Sequence, residues 1–360
     1  MHPDWGPPGR QPWNNQPPMI PAQVRTDHPA RWQDELAAAF TAPERLLAAL
    51  DLPVPEGPAL AQLQAAAARF RLRVPQAYVS LMEKGNAADP LLRQVLPVAD
   101  ELLEIPGYVA DPVGDLDVLA GPGLLHKYDG RRLLVTTGAC AVHCRYCFRR
   151  EFPYAEENAA AAGWRPALEA LRADPGATEV ILSGGDPLAL ADSKLERLAL
   201  ELATLPQLRR LRLHTRTPVV LPSRVDAALL GWLERFPLPV TMVLHANHAR
   251  EFSPALQEAC GRLRAAGVTL LNQAVLLRGV NDSVAAQVAL SETGFDAGVL
   301  PYYLHQLDPV RGAAHFAVPD AEALQLHADL LARLPGYLVP RLVREIPGAA
   351  SKTPVLDSTG

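Results

Sequence analysis

The chain has 360 residues, of which 49% are hydrophobic and 20% are charged, and its formal net charge is -5 at pH 7. These proportions are ordinary for a globular enzyme and exclude a disordered chain, while the slightly acidic balance leaves no basic surface of the kind that binds nucleic acid or anionic lipid. No apolar run is long enough to span a membrane and four cysteines do not form a disulfide framework, so the sequence predicts a cytoplasmic location.

The first third of the chain is predicted to be a tail followed by a helical region. Residues 1–21 are rich in Pro, Gly, Asn and Gln and predict a disordered tail. Within residues 22–127, apolar residues at helical spacing predict helices over 32–50, 59–70 and 77–82, and the Pro and Gly residues of 101–127 predict an irregular connector. We interpret the helices as packing against the rest of the chain, with a partner-binding cap as the alternative.

From Arg131 onward the sequence predicts an α/β fold with a parallel sheet. Aliphatic runs predict strands over 132–137, 179–183, 211–215, 240–245, 269–276 and 297–303, and amphipathic stretches predict helices over 158–173, 193–205, 223–235, 254–266 and 283–293. Such a sheet is either a barrel or an open doubly wound sheet, and polar residues cluster just after its strands, where βα enzymes place their sites. We assign residues 128–335 to this domain and residues 336–360 to a C-terminal segment.

The most specific motif is Cys140-Ala-Val-His-Cys144-Arg-Tyr-Cys147, directly after the first predicted strand of this domain. Three thiolates on one loop suit three irons of a [4Fe–4S] cluster, and the fourth iron is then open to the amino and carboxylate groups of S-adenosylmethionine. An electron from the cluster would cleave that sulfonium and yield a 5′-deoxyadenosyl radical. This spacing is similar to that of the radical SAM superfamily. The alternative is a zinc site completed by His143 or Cys260.

A second motif, Ser183-Gly184-Gly185-Asp186, follows the next predicted strand. Alone it predicts only a turn. After the cysteine motif it resembles the segment that binds the methionine part of S-adenosylmethionine in the same superfamily. Tyr146, one place before the last cysteine, suits packing beside that cofactor.

From about residue 74 to residue 355 the sequence resembles the lysine 2,3-aminomutase family, and most closely its bacterial branch of elongation factor P β-lysylation proteins. The resemblance rests on seven segments in one order: Asp89-Pro-Leu-Leu-Arg-Gln-Val95, His126-Lys-Tyr-Asp-Gly-Arg131, 140–154, Arg216-Thr-Pro-Val-Val220, Asn272-Gln-Ala-Val-Leu-Leu-Arg-Gly-Val-Asn-Asp282, Pro301-Tyr-Tyr303 and Ser351-Lys-Thr-Pro354. It implies a partial (β/α)6 barrel with a helical N-terminal region and a short C-terminal segment that carries a cofactor lysine.

The resemblance also implies a pyridoxal phosphate site. Lys352 matches the family lysine that forms an internal aldimine with this cofactor, and Tyr128, Arg131 and Arg216 match residues around its phosphate. His245 and Gln273 match polar residues near the adenosyl group.

For the substrate, Arg149 matches the arginine that binds the carboxylate, and Asp308 and Glu345 match two acids that receive the distal ammonium group. An arginine at one end and two acids at the other suit a zwitterion with a cationic side chain. The implied activity is that of an isomerase that converts L-lysine to (R)-β-lysine, which a separate ligase attaches to elongation factor P. A reductant such as flavodoxin or ferredoxin and a possible homo-oligomer are the other expected partners.

Two alternatives remain at this point. A related aminomutase could act on arginine or glutamate with the same cofactors. A non-catalytic iron–sulfur interaction protein is the other alternative, and it would require a fourth cysteine ligand near the motif.

Overall fold

The computed structural model describes residues 31–157, 160 and 163–356. The predicted disordered tail over residues 1–21 lies outside the described residues. The described residues from Arg31 onward belong to one unit, and the division of the chain at residues 22, 128 and 336 stays a prediction.

Five short helices open the described chain and pack beside the cysteine loop: α1 (Trp32–Ala37), α2 (Pro43–Ala49), α3 (Gly57–Arg69), α4 (Gln76–Val79) and α5 (Pro90–Arg93). The predicted helix over 32–50 is in fact α1 and α2, because Phe40 between them pairs its backbone with Val74. The buried side chains of these helices share one hydrophobic core with Ala141 and Val142 of the cysteine loop. This contact agrees with the packing interpretation.

One sheet forms the centre of the fold, and its ten described strands lie in sequence order. They are β1 (Leu119–Gly121), β2 (Leu124–Tyr128), β3 (Arg131–Thr137), β4 (Glu179–Gly184), β5 (Arg210–Thr215), β6 (Val240–Leu244), β7 (Thr269–Val275), β8 (Leu300–His305), β9 (Arg341–Arg344) and β10 (Thr353–Pro354). Strands β3 to β9 are parallel to their neighbours, whereas β1, β2 and β10 pair antiparallel at the two ends. This is the strand order of the predicted partial barrel, with further strands at each end.

Two details of the sequence interpretation were wrong at the edges of strands. The connector over 101–127 contains β1 and β2, because Leu124 pairs with Leu134 and extends the sheet by a hairpin. The predicted strand over 297–303 begins only at Leu300, since the preceding helix continues to Asp296 and Gly298, at φ +76°, turns the chain.

Helices cover the outside of the parallel strands: α6 (Arg165–Arg172), α7 (Asp192–Ala203), α8 (Thr217–Val220), α9 (Ala227–Arg235), α10 (Pro254–Ala265), α11 (Val284–Asp296) and α12 (Asp320–Arg333). Asp226, Ser253 and Ser283 begin α9, α10 and α11, and each side chain accepts a hydrogen bond from a backbone N–H of the first turn. Helix α12 was not predicted, and the helix predicted over 158–173 begins at Arg165. Within the part of the chain that the structure describes, none of the helices has both the length and the hydropathy that a bilayer crossing requires.

Candidate active site

A cavity of about 350 Å³ runs through the lumen of the sheet. It extends from the loops after the parallel strands, where the cysteine motif lies, to the first residues of β3 and β5. All seventeen predicted site residues line it: Tyr128, Arg131, Cys140, Cys144, Tyr146, Cys147, Arg149, Ser183, Gly184, Gly185, Asp186, Arg216, His245, Gln273, Asp308, Glu345 and Lys352. The fold therefore brings together side chains that are far apart in the sequence, the most distant being Tyr128 and Lys352, which are 224 positions apart. The individual roles stay predictions.

The cysteine loop is held in place by the N-terminal helices. The backbone N–H of Arg145 donates to the carbonyl of Gln94 at 2.9 Å, and the N–H of His143 donates to Arg73 at 3.0 Å. The buried guanidinium of Arg145 pairs with Glu101 through Nε at 2.8 Å and Nη2 at 2.5 Å. These contacts fix the loop before any ligand binds to it.

The three thiols of the loop fit an iron–sulfur cluster. Burial raises the pKa of Cys140 well above its usual value, and burial together with the neighbouring Cys144 raises the pKa of Cys147 to about 11. Since the thiolate is the form that binds metal, a cationic cluster would have to deprotonate these thiols on binding.

The alternative ligands of a zinc site are engaged elsewhere. The Nδ1 atom of His143 lies 2.8 Å from the carbonyl oxygen of Arg71, and Cys260 lies buried in α10 within the hydrophobic core. Among the residues that the structure describes, no three His, Cys, Asp or Glu side chains stand close enough together to hold a single metal ion.

Arg216 lies beside the cysteine loop and is almost fully buried. Its Nη1 donates to the sulfur of Cys144 at 3.0 Å and also contacts the hydroxyl of Tyr146. Its Nη2 donates to Glu251 at 2.7 Å and to Gln94 at 2.8 Å. The structure thus places this guanidinium at the cluster end of the cavity, and its assignment to a phosphate stays a prediction.

The Gly184-Gly185-Asp186 turn lies directly against the backbone that precedes the first cysteine. A Cβ atom on Gly185 would lie 2.4 Å from the carbonyl oxygen of Ala139, and one on Gly184 would lie 2.6 Å from that of Thr137. Asp186 is buried and accepts hydrogen bonds from Thr215 Oγ1 at 2.7 Å and from the backbone N–H of Arg216 at 2.8 Å. The motif therefore joins the loops after β3, β4 and β5.

Lys352 and Glu345 face each other across the hairpin of β9 and β10. The Nζ atom of Lys352 donates to Glu345 Oε2 at 2.8 Å, and the hydroxyl of Tyr128 donates to Oε1 at 2.5 Å. Burial alone would raise the pKa of Glu345, but Lys352 and Lys127 lower it, so Glu345 is ionised at neutral pH. The same burial raises the pKa of Asp308 to about 7, although Lys352 lowers it.

Arg149 also lines the cavity and is paired with an acid that the sequence did not identify. Its Nε donates to Asp115 Oδ2 at 2.6 Å, and its Nη1 donates to Ser183 Oγ at 3.2 Å. Lys127 Nζ lies 2.7 Å from the other oxygen of Asp115 and 3.3 Å from Glu345 Oε1. Burial alone would raise the pKa of Asp115, but Arg149 and Lys127 outweigh burial and lower the pKa below its usual value. Asp115 therefore also carries its charge.

Three histidines and a glutamine form a neutral wall of the cavity. Burial lowers the pKa of His214 and His305 well below the usual value and lowers that of His245 to about 4. Within the described chain, the Nε2 atoms of these histidines and Oε1 of Gln273 have no hydrogen-bond partner. Such buried, unpartnered polar atoms fit a polar ligand such as S-adenosylmethionine.

The narrow end of the cavity carries cations and phenols. Arg131 lies over the ring of Tyr128 at 4.8 Å, and Arg212, which pairs with Glu179, lines the same end as Tyr302. Cations and hydroxyl donors of this kind suit a phosphate group. The sequence missed Arg212 and His214, although both alternate with the buried Leu211 and Leu213 of β5, which is the pattern of a strand with a polar lumen face.

The chain is similar to several known proteins. The model of the Radical SAM superfamily matches residues 134–289. The chain is 48% identical to an L-lysine 2,3-aminomutase of Escherichia coli (strain K12), over 92% of this chain and 97% of that one. It is 43% identical to an L-lysine 2,3-aminomutase of Haemophilus influenzae, over 93% of this chain and 98% of that one. Among solved structures, a radical SAM methyltransferase from Sphaerobacter thermophilus aligns with a TM-score of 0.39 and 22% identity, over 61% of this chain and 68% of that one.

Proposed function

The chain belongs to the lysine 2,3-aminomutase family of radical SAM proteins, and from this premise we propose that it moves the α-amino group of free L-lysine to carbon 3. The observation that carries the substrate assignment is the distribution of charge in one cavity. Arg149, Asp308 and Glu345 line the same lumen as the three cysteines, and Asp115 and Lys127 lie between Arg149 and Glu345.

Membership of the radical SAM superfamily implies a [4Fe–4S] cluster and S-adenosylmethionine as cofactors, and we propose pyridoxal phosphate as the third. When bound, they supply hydrogen abstraction by a radical and an electron-accepting ring for the migrating nitrogen. Cys140, Cys144 and Cys147 would hold the cluster. Arg131 and Tyr128, with Arg212 in addition, would hold the phosphate, and Lys352 would hold the ring.

The role of the chain in substrate binding follows from its charges. Arg149 donates to Asp115 through Nε and to Ser183 through Nη1, and we propose that its Nη2 donates to the substrate carboxylate. Lys352, at 2.8 Å, and Lys127, at 3.3 Å, are the two cations beside Glu345. When the nitrogen of Lys352 is engaged by the cofactor, Glu345 and Asp308 lack that cation, and the ammonium group of lysine is the replacement.

The same charges weigh against the alternative substrates. Glutamate would bring a carboxylate next to Asp308 and Glu345, and buried like charges repel each other strongly. Arginine would satisfy the charge, but its planar guanidinium is bulkier than an ammonium group. The non-catalytic alternative has no support in the cavity, which is built around Lys352, Arg131 and Arg149 rather than around a fourth cysteine.

Beyond the reaction itself we propose, on the resemblance alone, that the product is (R)-β-lysine for the modification of elongation factor P by a separate ligase. A flavodoxin or ferredoxin would supply the electron, and a homo-oligomer is the proposed assembly. These proposals predict that β-lysine formed by the protein is transferred to elongation factor P when the ligase is added.

The test of the reaction uses protein reconstituted anaerobically with iron, sulfide, pyridoxal phosphate and S-adenosylmethionine. L-Lysine labelled with ¹⁵N at the α position should yield β-lysine that carries the label on carbon 3, as read by chiral chromatography and mass spectrometry. Turnover of arginine or glutamate in place of lysine would contradict the substrate assignment.

Two site assignments can be tested without turnover. Cys144→Ala should lose the bound iron, while the matched control Cys260→Ala, which removes a thiol from the core of α10, should keep it. Borohydride treatment should fix phosphopyridoxal to the peptide that contains Lys352. A label on any other lysine, or full iron in Cys144→Ala, would refute the corresponding role.

A further inference from the structure

A chain of alternating charges connects the two ends of the proposed lysine site. Asp115 lies between Arg149, at 2.6 Å, and Lys127, at 2.7 Å. Lys127 in turn lies 3.3 Å from Glu345, which is 2.8 Å from Lys352. The group proposed to bind the carboxylate and a group proposed to bind the distal ammonium are therefore connected through two residues, Asp115 and Lys127, to which no role has been assigned.

Asp115 is buried and Lys127 is partly buried. The side chain of Asp115 is 1% exposed and that of Lys127 is 18% exposed. Taking charged groups out of water costs several kcal/mol for each ion, so a buried ion pair contributes little net stability. Its more general effect is to fix the relative positions of the groups that it joins, because a shift of either would leave a charge without a partner.

Three oxygen atoms surround the ammonium group of Lys127. Its Nζ donates to the carbonyl of Val113 at 2.8 Å and to Glu345 Oε1 at 3.3 Å, and it lies 2.7 Å from Asp115 Oδ1 in an ion pair. Its position is also fixed by the backbone, because the neighbouring Tyr128 pairs with Arg131 in the β2–β3 hairpin and donates to the same oxygen of Glu345. Lys127 therefore acts on a substrate through Glu345 and not by direct contact.

We propose that Asp115 and Lys127 are positioning residues that fix the spacing between Arg149 and Glu345 and thereby select a diamino acid of the length of lysine. This inference rests on the proposed function, since it assumes that Arg149 and Glu345 bind the two ends of one substrate. Ornithine, which is one methylene shorter, can reach one end but not both while the spacing is fixed. Loss of the bridge frees Glu345 to follow the shorter side chain.

The experiment compares L-lysine with L-ornithine on the reconstituted holoenzyme. Turnover gives kcat and KM for each, and the change in cofactor absorbance without reductant gives the dissociation constant of each amino acid. Since one methylene is worth roughly 10–200-fold in specificity, the wild type should prefer lysine by about that factor. In Lys127→Met the preference should fall by about fivefold or more, chiefly through KM and the dissociation constant.

Further variants separate positioning from folding. Lys127→Arg keeps a cation between the two acids and should restore most of the preference, while Lys127→Gln should lose it as the Met variant does. Asp115→Asn should also lose the preference for lysine. The double variant Asp115→Asn with Lys127→Met should lose no more of this preference than either single variant, because the two residues act as a unit. Lys84→Met is the matched control, since it removes a lysine from an ion pair with Asp51 in which both side chains are 65% exposed.

The outcomes distinguish this inference from the function on which it rests. A wild type that turns over neither amino acid would refute the proposed function and the inference with it. A wild type that prefers lysine, with the same preference in Lys127→Met and Lys127→Gln, would overturn the positioning role alone. A loss of preference in Lys84→Met equal to that in Lys127→Met would also overturn it.

Discussion

Gly185→Ala is the substitution for which the structure gives the sharpest expectation. Gly185 is not in the left-handed region, so alanine meets no strain in the local backbone. The obstacle is contact: the added Cβ would lie 2.4 Å from the carbonyl oxygen of Ala139 and 2.7 Å from the carbonyl carbon of Gly138. Both are backbone atoms and cannot rotate away.

To make room for the added Cβ, the backbone at the ends of β3 and β4 must move apart. Gly185 N–H donates to Thr137 at 2.7 Å and Asp186 N–H donates to Ala139 at 2.8 Å, so the two loops cannot separate without loss of these bonds. Overpacking of this kind typically costs about 1–3 kcal/mol. Since Ala139 precedes Cys140, the shift should also disturb the cysteine loop.

We expect Gly185→Ala to lower the free energy of unfolding by about 1–3 kcal/mol and to reduce the iron that the protein retains after reconstitution. Urea denaturation and iron analysis measure the two effects. Gly261→Ala is the matched control, because Gly261 lies within α10 with no atom inside 4 Å of the added Cβ, and should stabilise the protein by up to about 1 kcal/mol. Full iron and an unchanged urea midpoint in Gly185→Ala would refute the reasoning.

Three further predictions concern charged groups. The pKa of Asp308 is raised by burial to about 7, so the folded protein holds this proton more tightly than the unfolded chain, and the free energy of unfolding should fall between about pH 4 and pH 7 by at most about 4 kcal/mol. Asp308→Asn should therefore show a smaller drop in Tm between pH 5 and pH 8 than the wild type, and an equal drop would contradict the burial argument. Arg216→Gln removes a cationic donor from the sulfur of Cys144 and should lower the midpoint potential of the cluster by up to about 60 mV, the one-electron equivalent of about 1.4 kcal/mol; a loss of bound pyridoxal phosphate at unchanged potential would instead support the phosphate role. Glu101→Gln leaves Arg145 and Arg150 without their buried counterion and should destabilise the protein by about 3–5 kcal/mol in urea denaturation. Glu201→Gln, at the exposed pair with Arg172, should change stability by less than about 1 kcal/mol. Equal effects of the two variants would refute the argument that burial sets the cost.

The sequence predicted those parts of the fold that repeat a local pattern. Each of the six predicted strands corresponds to one of the parallel strands β3 to β8, because their aliphatic residues are either continuous, as in the fully buried β4, or alternate with polar residues, as in β5. Strands β1 and β2 were missed, since they are short and lie among prolines and glycines, and they are held by pairing, β1 with β2 and β2 with β3. A partner strand distant in sequence leaves no local pattern.

The same distinction applies to the cavity. The cysteine motif and Lys352 were identified because spacing and resemblance single them out. Asp115 and Lys127 were not, since an Asp in a connector and a Lys in a short strand are ordinary on a surface, and only the fold places one between Arg149 and Glu345. Arg216 shows the reverse case, in which the residue was identified but its observed contacts lie with Cys144 and Glu251.

The cavity includes residues at two distant places in the chain, the cysteine loop and the last hairpin, which carries Lys352. The cysteines follow the first parallel strand, whereas Lys352 enters the cavity only when β10 pairs with β9 through Thr353 and Arg344. Most of the segment between Glu345 and Lys352, including Ile346, Pro347 and Gly348, is exposed. A protease cut in this segment would therefore separate Lys352 from the rest of the cavity. The cysteine loop would stay anchored to Glu101 and Gln94, so the cysteines should take up their metal independently of the hairpin that carries Lys352.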